Sequence, residues 1–400
     1  MKKGIKIVLF LLPVVLIGGY LVLYCGSKVE PEVDKIQLVY GDHLKEVPDY
    51  EASVFGEEAE VEVVNHVDES KLGPQMIDYT VRFGLIPLKS NSVTVEILDL
   101  TPPAIELEDG GMVFVKKGET PDYGCVHISD DYDEEPIIVY DESKVNFNRE
   151  GSYEVKISAT DSSGNENHKS VQVIVGKLNS EDFSHAFFLQ DVFPDTILAE
   201  TEYPIGEWQF DQIYFVGDSN MRNMSEYGFL RNDRVIARFA LSPSNFDRDE
   251  LLYRNDTIYK NLYQMIEEHV IYPQYLLLEI GSSDTKAGNV EMFIKQYQKV
   301  IDTLKEVAPN TTIILGSIFP IVEDYRDDLP SQRTINIYNY FIGKLAQEND
   351  LPLIDAATYY YDGTGHALEE YYREDGYHIK GDYFWIYKDY LKYHLGSIMR

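Results

Sequence analysis

The sequence predicts an α/β domain built on a parallel five-stranded sheet at the C-terminus, preceded by two β-sandwich modules and one transmembrane helix. Three observations predict it. An apolar run fills residues 5–24. Short strand-like runs separated by turn residues fill 28–176. From about residue 205, strand-like runs alternate with helical periodicity. The implied divisions are an anchor at 1–27, β modules at 28–100 and 101–177, a linker at 178–204, and the α/β domain at 205–400. A chain of 400 residues is long enough for such a division, because single cores stop growing well below that size.

The first element reads IKIVLFLLPVVLIGGYLVLY, enough as a helix to cross ~30 Å of hydrocarbon. Lys2, Lys3 and Lys6 flank it, and positive flanks stay in the cytoplasm, so the bulk of the chain is expected outside the cell membrane. The run ends in Leu23-Tyr24-Cys25-Gly26, which fits neither a small-x-small cleavage site nor a lipoprotein site. An uncleaved, single-pass signal anchor is the expectation.

In the β region, VEVVNHV, YTVRF and SVTVEIL alternate with turns, and VFVKKG, PIIVY, YEVKISATD and SVQVIVG follow. Ile77–Val81 leading to Ser92–Val95 is echoed by Ser152–Val155 leading to Ser170–Val173, so the region reads as a tandem repeat of small sandwiches. The segment GSYEVKISATDSSGNENHKSVQVIV and the junction DLTPPAIEL resemble bacterial surface Ig-like modules, a resemblance that implies a spacer or adhesive stalk. The stretch Asp161-Ser162-Ser163-Gly164-Asn165 reads as a turn, with a calcium loop as the alternative.

Composition limits the function. The formal net charge is −33, and a surface that acidic repels phosphates, which excludes a nucleic-acid role. Two cysteines, Cys25 and Cys125, without a CxxC or Cys/His cluster predict neither a disulfide nor a zinc site.

In the last domain, strands are expected at 213–216, 235–240, 275–280, 312–317 and 351–354. Apolar residues Val290, Phe293, Tyr297, Val300, Ile301, Leu304 and Val307 recur at helical spacing, as do Ile335, Tyr338, Phe341, Ile342 and Leu345. Strands alternating with helices predict a parallel sheet covered on both faces, with ligands at the carboxyl ends of the strands.

Three motifs fall at those ends. Phe215-Val216-Gly217-Asp218-Ser219-Asn220 runs a strand into a turn and a helix start, where free amides favour developing negative charge. Asp375-Gly376-Tyr377-His378 supplies a base for a serine hydroxyl and a carboxylate to orient it. Glu279-Ile280-Gly281-Ser282-Ser283-Asp284 follows the most apolar strand and offers a donor loop of the kind an oxyanion needs.

Together, in this order, the motifs resemble the SGNH/GDSL hydrolase family, whose flavodoxin-like, three-layer fold matches the predicted domain. The resemblance implies Ser219 as nucleophile, His378 as general base and acid, and Asp375 as orienting acid. It implies an oxyanion hole at Ser219, Ala240 and Ser283. Substrate contacts are expected at Asp218, Asn220, Ser282 and Asp284. Ser317-Ile318-Phe319-Pro320 and Asp355 extend the likeness. Two positions depart from the family: Ser283 stands where it has Asn, and Ala240 where it has Gly. The implied activity is that of a serine esterase needing no metal or cofactor. The preferred partner is an O-acetylated wall or surface polysaccharide; an acyltransferase or an inert binding scaffold are the alternatives. The tyrosines at 359–361 and 371–372 suit either sugar stacking or internal packing.

Overall fold

The computed structural model describes residues 16–247, 251–253, 257–259, 261–322 and 330–399. The chain forms two compact units. One comprises Met1–Ile105, Ile128–Val139 and Ser158–His168; the other comprises Glu106–His127, Tyr140–Ile157 and Lys169–Arg400.

The first unit contains a two-sheet sandwich. Strands Ser27–Pro31, Tyr50–Val54 and Glu57–Glu58 pair antiparallel in one sheet. The other sheet has the order Lys35–Val39, Ile86–Leu98, Gly73–Phe83, Val61–Asn65. Ile77, Tyr79 and Val81 are buried, and so are Val93, Val95 and Ile97 of the partner strand. This period of two is why the strands were legible: one face packs inward and the other faces water.

The second repeat has the same strand order in its four-stranded sheet. Met112–Lys116 pairs in parallel with the last strand, Glu166–Gly176, followed by Gly151–Thr160 and Ile137–Asp141. In the first repeat, Lys35–Val39 likewise pairs in parallel with Ile86–Leu98. Residues 101–177 are nevertheless divided between the two units.

Residues 16–25 are helical. The remainder of the expected anchor, residues 5–15, lies outside the described residues. Among the described residues, no helix is long and apolar enough to cross a membrane.

In the C-terminal domain the elements run β1 (Ile213–Gly217), α1 (Ser219–Glu226), β2 (Val235–Ala237), β3 (Leu251–Tyr253), β4 (Thr257–Tyr259), α2 (Leu262–Glu267), β5 (Tyr275–Glu279), α3 (Val290–Val307), β6 (Thr312–Gly316), α4 (Gln332–Glu348), β7 (Leu353–Ile354) and α5 (Phe384–His394). The sheet order is β4-β3-β2-β1-β5-β6-β7. The five strands β2, β1, β5, β6 and β7 are parallel, as expected. An antiparallel hairpin, β3–β4, extends the edge beyond that expectation.

Successive residues of the central strands enter opposite cores. Tyr214, Val216, Leu276, Leu278, Ile313 and Leu315 pack with α3 and α4. Ile213, Phe215, Leu277 and Ile314 pack with Met221 and Met224 of α1 and with Tyr387 and Leu391 of α5. Burial on both faces explains runs such as IYFVG, which show no alternation.

The linker expected at 178–204 is corrected. Phe183, Phe187, Leu189, Phe193 and Ile197 are buried in the same core as α4. Asn336 on α4 donates to the carbonyl of Phe183 at 3.0 Å, and Ile197 bridges to Leu353 of β7. This segment is an integral layer of the domain.

Candidate active site

Gly217 closes β1 and leads into α1. A Cβ there would meet Met221 Cβ at 2.7 Å and the Glu279 carbonyl at 3.0 Å, so only glycine lets the strand approach its neighbours this closely. Asp218 caps α1, its side chain accepting from the Asn220 amide at 2.9 Å. Ser219 is the first residue of the helix and is partly exposed, whereas Asp218 and Asn220 are buried.

The Ser219 hydroxyl lies 2.8 Å from His378 Nε2, and Asp375 Oδ2 lies 2.8 Å from His378 Nδ1. The residues span 159 positions of sequence, yet their side chains form one continuous chain of hydrogen bonds. With the proton on Nδ1 donated to Asp375, Nε2 is free to accept from the serine hydroxyl.

The loop that carries the imidazole is held by its own carboxylate. Asp375 Oδ1 accepts from the amides of Tyr377 and His378 at 2.9 and 2.8 Å. Partial burial raises the Asp375 carboxyl, but those two amides and the imidazole outweigh it and hold it below its ordinary value. Asp375 therefore stays ionised beside the histidine. The Asn220 side chain accepts from the Ile379 amide at 3.2 Å, tying the serine's helix to the histidine's loop.

The expected oxyanion positions sit at the carboxyl ends of β2 and β5. Ala240 follows β2 and has φ +57°, a left-handed conformation that costs any side chain and suits glycine. That explains a glycine at the corresponding family position. Its carbonyl accepts from Asn245 Nδ2 at 3.0 Å. Ser283 is half-buried at the start of a 3₁₀ turn, Asp284–Ala287, and makes no side-chain capping bond. Just before it, Gly281 has φ +120°, and a Cβ there would meet the Phe293 ring at 2.8 Å.

The expected substrate contacts divide. Ser282 is buried and donates its hydroxyl to Asp218. Asp218, Asn220 and Ser282 are tied together beneath the serine, and all three line a small cavity with Glu279, Phe319 and Tyr377. Burial raises the Asp218 carboxyl against the hydrogen bonds from Ser282 and the Asn220 amide. Asp284 is partly buried, and burial likewise raises its carboxyl.

Glu279 ends β5 beneath this layer, 7% exposed. Burial pushes its carboxyl up to about 8, with nearby Asp218 adding to the effect and the Tyr387 side chain opposing it. Glu279 is a buried acid of the site to which the motifs assign no part. Its signal was a charged residue closing the otherwise apolar run YLLLE.

The tyrosine-rich loop serves mainly as packing. Tyr360 and Tyr372 are 0% and 1% exposed, and Tyr360 packs edge-on against Phe319 at 5.0 Å. Tyr359 is exposed, as are Tyr227 and Phe239, the last adjoining Ala240. Arg373, whose amide donates to the His378 carbonyl at 2.8 Å, lies over the Tyr227 ring at 5.9 Å.

Residues 215–382 match the family model of the GDSL-like Lipase/Acylhydrolase family. Among solved structures, the chain is similar to a GDSL-like lipase from Bacteroides thetaiotaomicron, at 16% identity and a TM-score of 0.36, covering 47% of this chain and 89% of that one. It is similar to the acetyl xylan esterase AlAXEase at 20% identity and a TM-score of 0.31, covering 45% and 96%. It is similar also to a catalytic mutant of an acetylxylan esterase from Geobacillus stearothermophilus at 14% identity and a TM-score of 0.32, covering 50% and 97%. No curated protein matches the chain.

Proposed function

We infer that Ser219, His378 and Asp375 carry the chemistry of this C-terminal domain, which belongs to the GDSL-like lipase/acylhydrolase family and is a serine esterase. The observation that carries the reading is the pair of 2.8 Å contacts joining the three side chains. A serine hydroxyl is a weak nucleophile until a neighbouring base takes its proton, and this geometry provides one.

The reaction is a two-step acyl transfer. Ser219 Oγ attacks the ester carbonyl while His378 Nε2 takes its proton. The tetrahedral intermediate collapses, the alkoxy group leaves with that proton, and an acyl-serine remains. Water then attacks the acyl carbon, giving its proton to His378. Collapse releases the carboxylic acid and returns the proton to Ser219. Asp375 stabilises the imidazolium formed in each step. The Ser219 amide at the start of α1, with Ala240 and Ser283, is proposed to hold the oxyanion.

The substrate proposed is an O-acetyl group on a cell-wall or surface polysaccharide, with the domain held outside the cell by the N-terminal apolar run. Supporting this are the basic flank of that run, the acidic composition, and the β repeats that resemble surface modules.

The test is acetate release from acetylated glycans and from a chromogenic acetyl ester, by the wild type and by Ser219→Ala. Release in the wild type alone supports the reading. Equal release by both, with the variant folded, refutes it.

A further inference from the structure

Away from the esterase site, three aspartates converge in the first compact unit. Asp99, Asp130 and Asp161 each bring a carboxylate oxygen to within 4.8 Å of the others. Each follows the end of a strand: Ile86–Leu98, Val126–Ser129 and Gly151–Thr160 respectively. We propose that these three carboxylates form a calcium-binding site.

The acidic cluster does not stand alone as evidence. Asp99 is 5% exposed, and its Oδ2 is buried with no hydrogen-bond partner among the described residues. Asp130 Oδ2 is buried and unpartnered in the same way. A buried carboxylate oxygen without a donor is costly, and such groups are paired or bind metals.

The opposite oxygens are already engaged. Asp99 Oδ1 accepts from the Thr101 amide at 3.0 Å. Asp130 Oδ1 accepts from the amides of Tyr132 and Asp133 at 3.0 and 2.8 Å. Asp161 is 4% exposed, with Oδ1 accepting from the Asn165 amide and Oδ2 from Asn165 Nδ2, both at 2.8 Å. These bonds fix the carboxylates and leave the unpartnered oxygens of Asp99 and Asp130 for a ligand. Among the described residues, no lysine, arginine or histidine forms an ion pair with any of the three, so the cluster has no basic counter-charge in contact.

A cation answers both deficits. Two oxygens on one calcium ion, each at ~2.3–2.6 Å, lie at most about 5 Å apart, which the cluster satisfies. An all-oxygen donor set suits a hard cation. Calcium accepts irregular geometry and 6–8 oxygens, whereas magnesium demands a near-ideal octahedron that three strand ends do not preform. The ion would join the segment after the first repeat's last strand to two turns of the next. The Asp133 side chain already draws these turns together, accepting from the Ser162 amide at 2.8 Å.

The experiment is calorimetric titration of the chelator-stripped full chain with calcium chloride, with magnesium chloride as comparison. The expected result is one site with a dissociation constant of about 0.1–1 mM, the range of extracellular calcium modules. Asp99→Asn and the half-buried Asp130→Asn are each expected to weaken it at least ~10-fold. Circular dichroism and the melting profile of the metal-free variants should match those of the metal-free wild type, which confirms that the unit carrying the substitutions is folded. Absence of binding at ~10 mM calcium overturns the proposal, as does a preference for magnesium. Calcium binding that is undiminished in both variants places the ion elsewhere and overturns it equally.

Discussion

The sandwich of the first unit and the sheet of the C-terminal domain bury their strands differently. In the sandwich, Gly73–Phe83 alternates between buried and solvent-facing residues. In the α/β sheet, every residue of β1 is buried. A strand covered on one side can shed its polar groups into water, but one covered on both sides cannot. Polar side chains at the ends of the covered strands, such as Asp218, Glu279 and Asp355, are therefore buried and must be hydrogen-bonded or neutral. The covered sheet thereby holds a fixed polar layer beneath Ser219, and the chemistry belongs there.

The largest test of that difference removes the nucleophile. Ser219→Ala should lower kcat by a factor of about 10⁴ or more, measured on a chromogenic acetyl ester. Thermal unfolding of the sandwich should not change. Asp375→Asn should cost about 10³–10⁴ in kcat with a small change in KM, because the imidazole loses both its tautomer and its charge partner.

Restoring the missing donor tests the rim of the sheet. If the Ser283 hydroxyl is a weak oxyanion donor, Ser283→Asn should raise kcat about 10-fold, a fraction of the 10²–10³ that a well-placed donor contributes elsewhere. An unchanged kcat would assign the oxyanion to backbone amides alone.

The buried layer predicts a pH dependence that the sandwich should lack. The Glu279 carboxyl is raised from 4.5 to about 8 in the folded state. Between those values the native state binds a proton that the unfolded chain has released. Stability from this group is thus full below about pH 4.5 and declines as pH rises towards about 8. Glu279→Gln should flatten the fall in melting temperature across that window, a loss of order a few kcal/mol in the wild type. A wild-type profile that rises with pH there would contradict the neutral-carboxyl assignment.

The smallest expected effect concerns backbone strain. Ala240→Gly relieves a left-handed residue costing about 1 kcal/mol, so the melting temperature should rise by about 2–4 °C.

The contrast between the regions also explains what was legible. Alternation exposed the sandwich strands, and helical periodicity exposed α3 and α4. The proposed triad could be named because Gly-Asp-Ser and Asp-x-x-His each lie within one short segment. The layer between 183 and 197 was not legible, since scattered aromatics such as Phe183, Phe187 and Phe193 have no period. Nor were the parts of Asp218, Asn220 and Ser282. A short polar residue beside a nucleophile looks the same in sequence whether it meets substrate or braces the loop behind it.

The clasp between the Asn220 side chain and the Ile379 amide has a consequence for biosynthesis. Ser219 and the histidine paired with it come from segments made far apart in time. A ribosome-bound chain that has not yet released Asp375 and His378 holds the Ser219 hydroxyl without those partners. The two parts of this hydrogen-bonded chain can therefore meet only once the segment around Ile379 has been made and has folded against α1.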